Sequence, residues 1–501
     1  MKNRSVPAQV ISGILLTVVA LVLTACGQVI YKLPQYNFAN RPIPPSQLLQ
    51  RVMAAYTANG SAGGLEILDG FRDIRSNVQN TIPFFSISGY SGGNPSTIIN
   101  FPEQSTGYVF SNNDGRLATI NYGKESASGD AGVFAPTTPS VAASTDGSRF
   151  AAAQEINGQL AVLSTSGSFY LNLPNVYKVV INRGNSVILA MVRNSNSLYR
   201  VVKLNQTNTP TQPPGSVDCQ PVLLPIYCVV PVPGTYDRPY DVSFSLDGMT
   251  AYVLNCGPEC GGTTAGITFL QEGALTVDVI PTVNPLSPGA PSPLAMIPSA
   301  NPLPIPGGVT AALSNGTTLY LAGQSLYDKN AGGALVPVPR ADGLFTGYLT
   351  AVNLSNYAVS NTYNISDGRH TKMLFADDNT LWVGSQQCAN GERHALGINY
   401  NCLTRVALAT GTPVAQIVPA VVPGNGAQTV PYPNENQDLY YYGSLNGICW
   451  VQLYHKVYTA YGGQIHAFKT SDGSEINNTN ITVQGTVLDV AYMDALSNDA
   501  N

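Results

Sequence analysis

The stretch Asp241-Val-Ser-Phe-Ser-Leu-Asp-Gly-Met-Thr-Ala-Tyr-Val-Leu254 decides the fold. Apolar and small polar residues alternate up to Ser245, the pair Asp247-Gly248 interrupts them, and a Tyr/Val/Leu run resumes. Alternation is the period of a half-buried strand, and Asp-Gly provides the positive φ that a tight hairpin turn needs. The same strand, turn and strand recur at Ser140-Val-Ala-Ala-Ser-Thr-Asp-Gly-Ser-Arg-Phe-Ala-Ala-Ala153, at Val309-Thr-Ala-Ala-Leu-Ser-Asn-Gly-Thr-Thr-Leu-Tyr-Leu321 and at Met373-Leu-Phe-Ala-Asp-Asp-Asn-Thr-Leu-Trp-Val383. A weaker copy runs from Val179 to Leu189, and another hairpin from Val457 to Phe468.

Outward from these cores the chain divides into units near 140–174, 176–235, 238–282, 307–366, 370–419 and 440–483. No helical crossover separates them, which excludes a parallel sheet. Units of this kind repeated around an axis predict an all-β, seven-bladed β-propeller, with six or eight blades as alternatives. The seventh unit is split. Gly107 to Tyr122 supplies middle strands, and Thr486-Val-Leu-Asp-Val-Ala-Tyr-Met493 supplies an opening strand. Their pairing is expected to close the ring by joining N- and C-terminal strands, leaving no free sheet edge. Residues 245–255, Ser-Leu-Asp-Gly-Met-Thr-Ala-Tyr-Val-Leu-Asn, resemble the core of the YVTN-type (YncE-like) propeller repeat, and the resemblance covers about 105–494. It implies an architecture more than a function.

Ahead of the repeats, Lys2 and Arg4 precede an uncharged apolar stretch from Val10 to Ala25, and Cys26 follows. This is the layout of a secretory signal. Leu23-Thr24-Ala25-Cys26-Gly27 resembles the lipobox of bacterial lipoproteins, which implies that Cys26 becomes the lipid-bearing first residue. The rival reading, a signal anchor, would need about 20 apolar residues. The expected organisation is a lipoprotein signal peptide over 1–25, a tether over 26–45, a short helical segment over 46–84 packed on the domain, and the propeller over 85–501. The helical expectation rests on Leu48, Leu49, Val52, Met53 and Tyr56, then Leu65, Leu68, Phe71 and Ile74, at helical spacing. Localisation is expected in the bacterial cell envelope, membrane-anchored and facing periplasm or exterior.

Charged residues are 11% of the chain and the net charge is −5, whereas Gly (48), Pro (36) and Tyr (27) are abundant. This composition gives no electrostatic footprint for nucleic acid. Cys219/Cys228, Cys256/Cys260 and Cys388/Cys402 form three close pairs that read as local disulfides in an oxidising compartment, although spacing alone fixes no connectivity. A metal site is the rival for Cys256 and Cys260, but no His lies near them. Cys449, in the run Ile448-Cys449-Trp450-Val451, reads as a small core residue.

Three insertions, Cys256–Gly266, Gln324–Phe345 and Gln386–Thr404, fall between second and third strands and leave from the end that also carries the connections between blades. That built-up face is the expected binding site. Its candidate residues are Tyr236, Arg238, Tyr327, Arg340, Arg369, His370, Arg393, His394 and Tyr400, cationic and aromatic groups suited to an anionic or sugar-like partner. The competing reading, as solvated loop residues or caps of loop carbonyls, is the stronger of the two. No H-E-x-x-H, G-x-S-x-G, P-loop or EF-hand spacing occurs, so no catalytic residue, metal or cofactor is assigned. The innermost strands, Val-Ala-Ala-Ser, Val-Ser-Phe-Ser, Val-Thr-Ala-Ala and Leu-Phe-Ala, read as nearly uncharged, with Asp489 the exception. The leading expectation is a non-enzymatic, lipid-anchored envelope protein whose propeller face binds a protein, polymer or small ligand, with a protein or glycan as the expected partner. A propeller-type hydrolase or lactonase with a central-channel site and a structural surface-assembly subunit are the alternatives.

Overall fold

A computed structural model describes residues 43–73, 86–101, 105–204, 212–221, 223, 225–278, 302–325, 327–329, 335–337, 347–386, 388, 402–408, 413–418, 445–476, 483 and 485–495. The stretches expected as signal peptide and lipidation site, 1–25 and Cys26, and most of the expected tether, 26–45, lie outside these residues. The compact unit Pro42–Asn501 contains the fold.

Among the described residues eight antiparallel sheets of three to five strands follow one another along the chain, beside a two-stranded hairpin of Tyr327–Lys329 and Leu335–Pro337, so the propeller has eight blades rather than seven. Six correspond to the repeats read from the sequence, from the third blade, opening at Ser140–Ala143, to the eighth, opening at Leu445–Val451. The discrepancy lies in the split unit, which is two blades. Gly107 to Tyr122 belongs to a complete second blade with its own opening strand, Pro95–Ile99, and a fourth strand, Ser126–Val133. Closure occurs elsewhere: the C-terminal strand Thr486–Tyr492 pairs antiparallel with Arg51–Thr57, which pairs with Gly63–Asp69, in the order Gly63–Asp69, Arg51–Thr57, Thr486–Tyr492. The ring therefore closes through its two chain ends as expected, but Thr486–Tyr492 pairs with Arg51–Thr57 and not with the strands of 107–122.

Over the described residues 46–73, the helices expected between 46 and 84 are replaced by these two strands; 74–84 lie outside the described residues. Val52, Met53, Ala54 and Ala55 are all fully buried, as are Ile67 and Leu68. A blade's central strand is covered on both faces, so it is apolar without alternation, and a short apolar run of that kind imitates helical spacing. Packing between neighbouring blades makes the core. One cluster joins Val52 and Leu68 of the first blade to Tyr458, Ile465 and Ala467 of the eighth and to Val487 and Val490 of the closing strand. Three disulfides form as the spacing suggested: Cys219–Cys228, Cys256–Cys260 and Cys388–Cys402. Cys449 is a buried free thiol on the innermost strand of the eighth blade.

Candidate functional site

Each innermost strand begins on the face that carries the blade-to-blade connections. On that face the loops are tied to one another. The Asp237 carboxylate, in the connection into the fifth blade, accepts Thr263 N–H (2.8 Å), Thr263 Oγ1 (2.6 Å) and Thr264 N–H (2.7 Å) from the disulfide loop. Glu259, in the same loop, accepts Gln324 N–H from the sixth blade at 3.2 Å, and Gln324 Oε1 accepts Gly368 N–H ahead of the seventh at 2.9 Å. Gln386 of the seventh blade then donates to Asn446 of the eighth at 3.0 Å. Burial pushes the Glu259 carboxyl up to about 7, against the hydrogen bonds of Gln324 and the charge of Arg369. The built-up face is thus a rim of hydrogen-bonded loops over four blades.

The candidate residues divide. Arg369 is exposed at the start of its strand, its guanidinium 6.0 Å from the Tyr240 ring centroid. Arg238 is half-buried, with φ 57°, and its Nε donates to Gly261 O at 3.4 Å. Tyr236 is a core residue, 5% exposed, packed between the fourth and fifth blades with its hydroxyl donating to Pro233 O. His370 is also a correction, being fully buried where a surface ligand was expected. Its Nε2 lies 2.9 Å from Ser366 O, Nδ1 has no partner, and desolvation pulls its pKa down to about 4. Along the strand, residue 369 faces out and residue 370 therefore faces in. Tyr327 begins a short hairpin strand, Tyr327–Lys329, and nothing is described of its side chain. Arg340, Arg393, His394 and Tyr400 lie outside the described residues.

Sequence reasoning missed a ring of bulges. In six innermost strands the pairing register slips near the start, at Ser96, Tyr177, Tyr240, Thr371, Asn446 and, on the closing strand, Leu488. A bulge re-aims side chains where a strand would otherwise alternate. The residues that follow are Thr97, Lys178, Asp241, Lys372, Gly447 and Asp489, so four of six are charged. Asp241, Lys372 and Asp489 line a central cavity of about 300 Å³. Lys178 Nζ pairs with Asp241 Oδ2 at 2.8 Å, and Lys372 Nζ with Asp489 Oδ1 at 3.5 Å. Asp489 is 3% exposed, and its Oδ2 accepts Ile98 N–H at 2.9 Å and its Oδ1 Val490 N–H at 3.0 Å. Desolvation pushes its carboxyl up, and Lys372 with those backbone donors pulls it back. Of these, Asp489 was noticed in the sequence. Lys178, Asp241 and Lys372 sit just upstream of the apolar cores taken as the innermost strands.

Toward the loop face, Tyr177 and Tyr240 stand with ring centroids 6.1 Å apart, and Arg193 lies 4.8 Å from the Tyr177 centroid. Arg193 is held by Glu155, whereas Arg369 has no ion pair among the described residues. At the other end, the turns of the seventh and eighth blades bring one ligating atom each of Asp377, Asp378 and His455 within 4.8 Å of one another. Asp377 contacts His455, and Asp378 accepts the Thr470 hydroxyl at 3.0 Å, which ties the two turns together.

No protein-family model and no curated protein matches the chain. Solved structures match in fold. Dihydro-heme d1 dehydrogenase NirN is 12% identical, covering 95% of this chain and 86% of that one, with a TM-score of 0.48. AztD of Citrobacter koseri is 10% identical, covering 88% and 97%, with a TM-score of 0.44. A putative 6-phosphogluconolactonase of Bacteroides fragilis is 11% identical, covering 88% and 97%, with a TM-score of 0.41. These likenesses assign no function to this chain, and propellers such as the one described above host many unrelated functions.

Proposed function

We propose that the mature chain is a lipid-anchored protein of the bacterial envelope whose loop-bearing propeller face binds a protein or glycan partner through its anionic groups. The observation that carries the reading is Arg369. Its guanidinium stands exposed beside Tyr240, without an ion pair among the described residues, on a rim stiffened by cross-blade hydrogen bonds. A planar guanidinium beside an aromatic ring is suited to a carboxylate, sulfate or phosphate. Export is supported by the signal layout ahead of Cys26 and is in keeping with the three disulfides.

The test is recovery of tagged full-length protein, cross-linked in the intact envelope, beside Arg369→Ala. Wild type brings down the same acidic partner repeatedly, and the variant weakens that retention by about tenfold or more, the usual loss for a hydrogen bond to a charged group. Protein recovered alone, or a partner retained equally by the variant, refutes the reading. Cys26→Ser tests the anchor separately, because it leaves the protein in the soluble fraction if the lipid sits there.

Channel chemistry is the competing reading, and it would need Asp489. Both Asp489 oxygens already accept hydrogen bonds and the Lys372 charge offsets it, which favours a structural use of these groups.

A further inference from the structure

At the end of the channel opposite the loop face, where first and second strands turn, lies a cavity of about 520 Å³ between the fourth, fifth and sixth blades. That is within the roughly 300–1,000 Å³ typical of small-molecule sites. Phe244, Leu246 and Leu313 form apolar wall, and Asp241, Asp247 and Glu272 are carboxylates on it. Leu246 is 55% exposed, a large apolar side chain left open at the mouth.

Glu272 is 4% exposed. Its Oε1 takes the Asn182 amide, while Oε2 is buried and accepts nothing. Asn182 has no more to give, since its amide also reaches Ser186 Oγ and its carbonyl accepts Ser186 and Val187 N–H. A buried acceptor without a donor is uncommon in a folded protein, because its lost hydration is uncompensated. Asp247, on the exposed rim, accepts Ser245 Oγ at 2.6 Å and Met249 N–H at 3.0 Å, which hold its carboxyl below the ordinary value. Burial raises Glu272, the Asn182 hydrogen bond lowers it, and the charge of Asp247 raises it again. Arg183 also lines the cavity but does not figure among those influences, and Lys178 is engaged with Asp241. On this wall the carboxylates Asp241, Asp247 and Glu272 outnumber the one cation, Arg183, and the buried Glu272 Oε2 has no donor, beside an apolar surface.

We propose that this cavity binds a small organic cation, an ammonium or amidinium head on an apolar body. Glu272 Oε2 accepts a hydrogen bond from the head, Asp247 adds a second negative charge at the rim, and Phe244, Leu246 and Leu313 cover the body. A bare metal ion fits less well, because among the described residues these carboxylates do not gather with a third ligating group. An anionic ligand would meet three carboxylates, of which Asp241 is paired with Lys178. The site is separate from the loop-face reading and does not rest on it.

The test uses the full chain and fluorine NMR of 4-fluorobenzylamine, with 4-fluorobenzoate as a probe of the same body and opposite charge. The amine line broadens saturably and the benzoate line does not. Glu272→Gln weakens the amine by about tenfold or more, as expected for a lost charge-assisted hydrogen bond. Asp247→Asn weakens it roughly two- to fivefold, as for an exposed pair. Leu246→Trp fills the mouth and abolishes it, so the test survives if Glu272→Gln fails to fold. No saturable amine binding up to about 10 mM, equal binding of the benzoate, or an amine affinity untouched by Glu272→Gln or by Leu246→Trp overturns the proposal.

Discussion

Replacing Arg51 with Met should unfasten the ring at its closure, and the cost can be worked from its contacts. Arg51 Nη2 pairs with Asp494 Oδ1 at 2.8 Å just beyond the closing strand, Nε with Asp494 Oδ2 at 3.1 Å, and Nη1 with Glu125 Oε1 at 2.9 Å in the second blade's loop. Nη1 also donates to Tyr122 O at 2.6 Å. The three side chains are 4%, 9% and 4% exposed, so one guanidinium holds two buried carboxylates from the C-terminal end and from the next blade. Met keeps most of the side-chain volume but takes the cation away from both anions, leaving Glu125 with Ser46 and Asp494 with the amide of residue 51, and breaking a buried ion pair from one side costs about 3–5 kcal/mol. For the unit Pro42–Asn501, an unfolding entropy of about 2.1 cal/mol/K per residue amounts to roughly 1 kcal/mol per kelvin, so the midpoint should fall about 3–5 K. Calorimetry measures the midpoint, and hydrogen exchange should show the amides of Thr486–Tyr492 losing protection first. Neutralising the stranded anions in Arg51→Met/Glu125→Gln/Asp494→Asn should recover most of the loss, because the penalty lies in the unpaired charges. A single variant that melts within 1 K of wild type, or a triple variant no better than the single, refutes the reasoning.

Three further perturbations test other parts of the fold. His370 ionises at 6.5 in the unfolded chain and at about 4 when folded. The unfolded state therefore binds the extra proton first, and stability present above 6.5 is lost as the pH falls toward 4, by roughly 3 kcal/mol at most; urea titrations across that range should be steeper in wild type than in His370→Asn, and parallel curves would count against it. Asp237→Ala removes the acceptor of three hydrogen bonds and should speed proteolysis within 256–264 by about tenfold without moving the global midpoint. Gly447→Ala would put a Cβ 2.3 Å from Asp489 Oδ1 and 2.6 Å from Val490 N, an overpacking expected to cost about 1–3 kcal/mol; an unchanged melt would mean the eighth blade and the closing strand approach less closely.

The blades with Asp-Gly or Asn-Gly turns were legible because local chemistry and tertiary position agree there. Gly147 and Gly248 adopt φ +67°, the conformation their turns require. The first blade was illegible for the opposite reason. Its strands are apolar on both faces, so no period distinguishes them from helices, and hiding that blade also hid the eighth member of the ring. The disulfides join the cysteines that lie close along the chain, with separations of 9, 4 and 14 residues, a pairing that spacing suggested without fixing. Among the expected ligand residues, Arg369 and His370 are neighbours with opposite fates. A charged residue at a strand's first position can be exposed while the next is enclosed by the adjoining blade, and composition carries no such parity.

The bulges explain why a chain with so few charges concentrates them on its axis. A regular strand would send successive side chains to alternate faces, each covered by a neighbouring blade. One extra residue at Tyr177, Tyr240, Thr371 and Leu488 breaks that alternation where the blades converge, so Lys178, Asp241, Lys372 and Asp489 come together from four innermost strands. Two cations and two anions then pair, and a converging group of like charges is avoided. Asp489 goes further, since it bonds Ile98 N–H of the second blade while lying against Gly447 of the eighth. It thereby touches both neighbours of the blade that holds the closing strand. An Asp at that position does for the inner end of the closure what Arg51 does beyond the strand's C-terminal end, and the charge noticed as an exception in the sequence is part of the device that holds the ring shut.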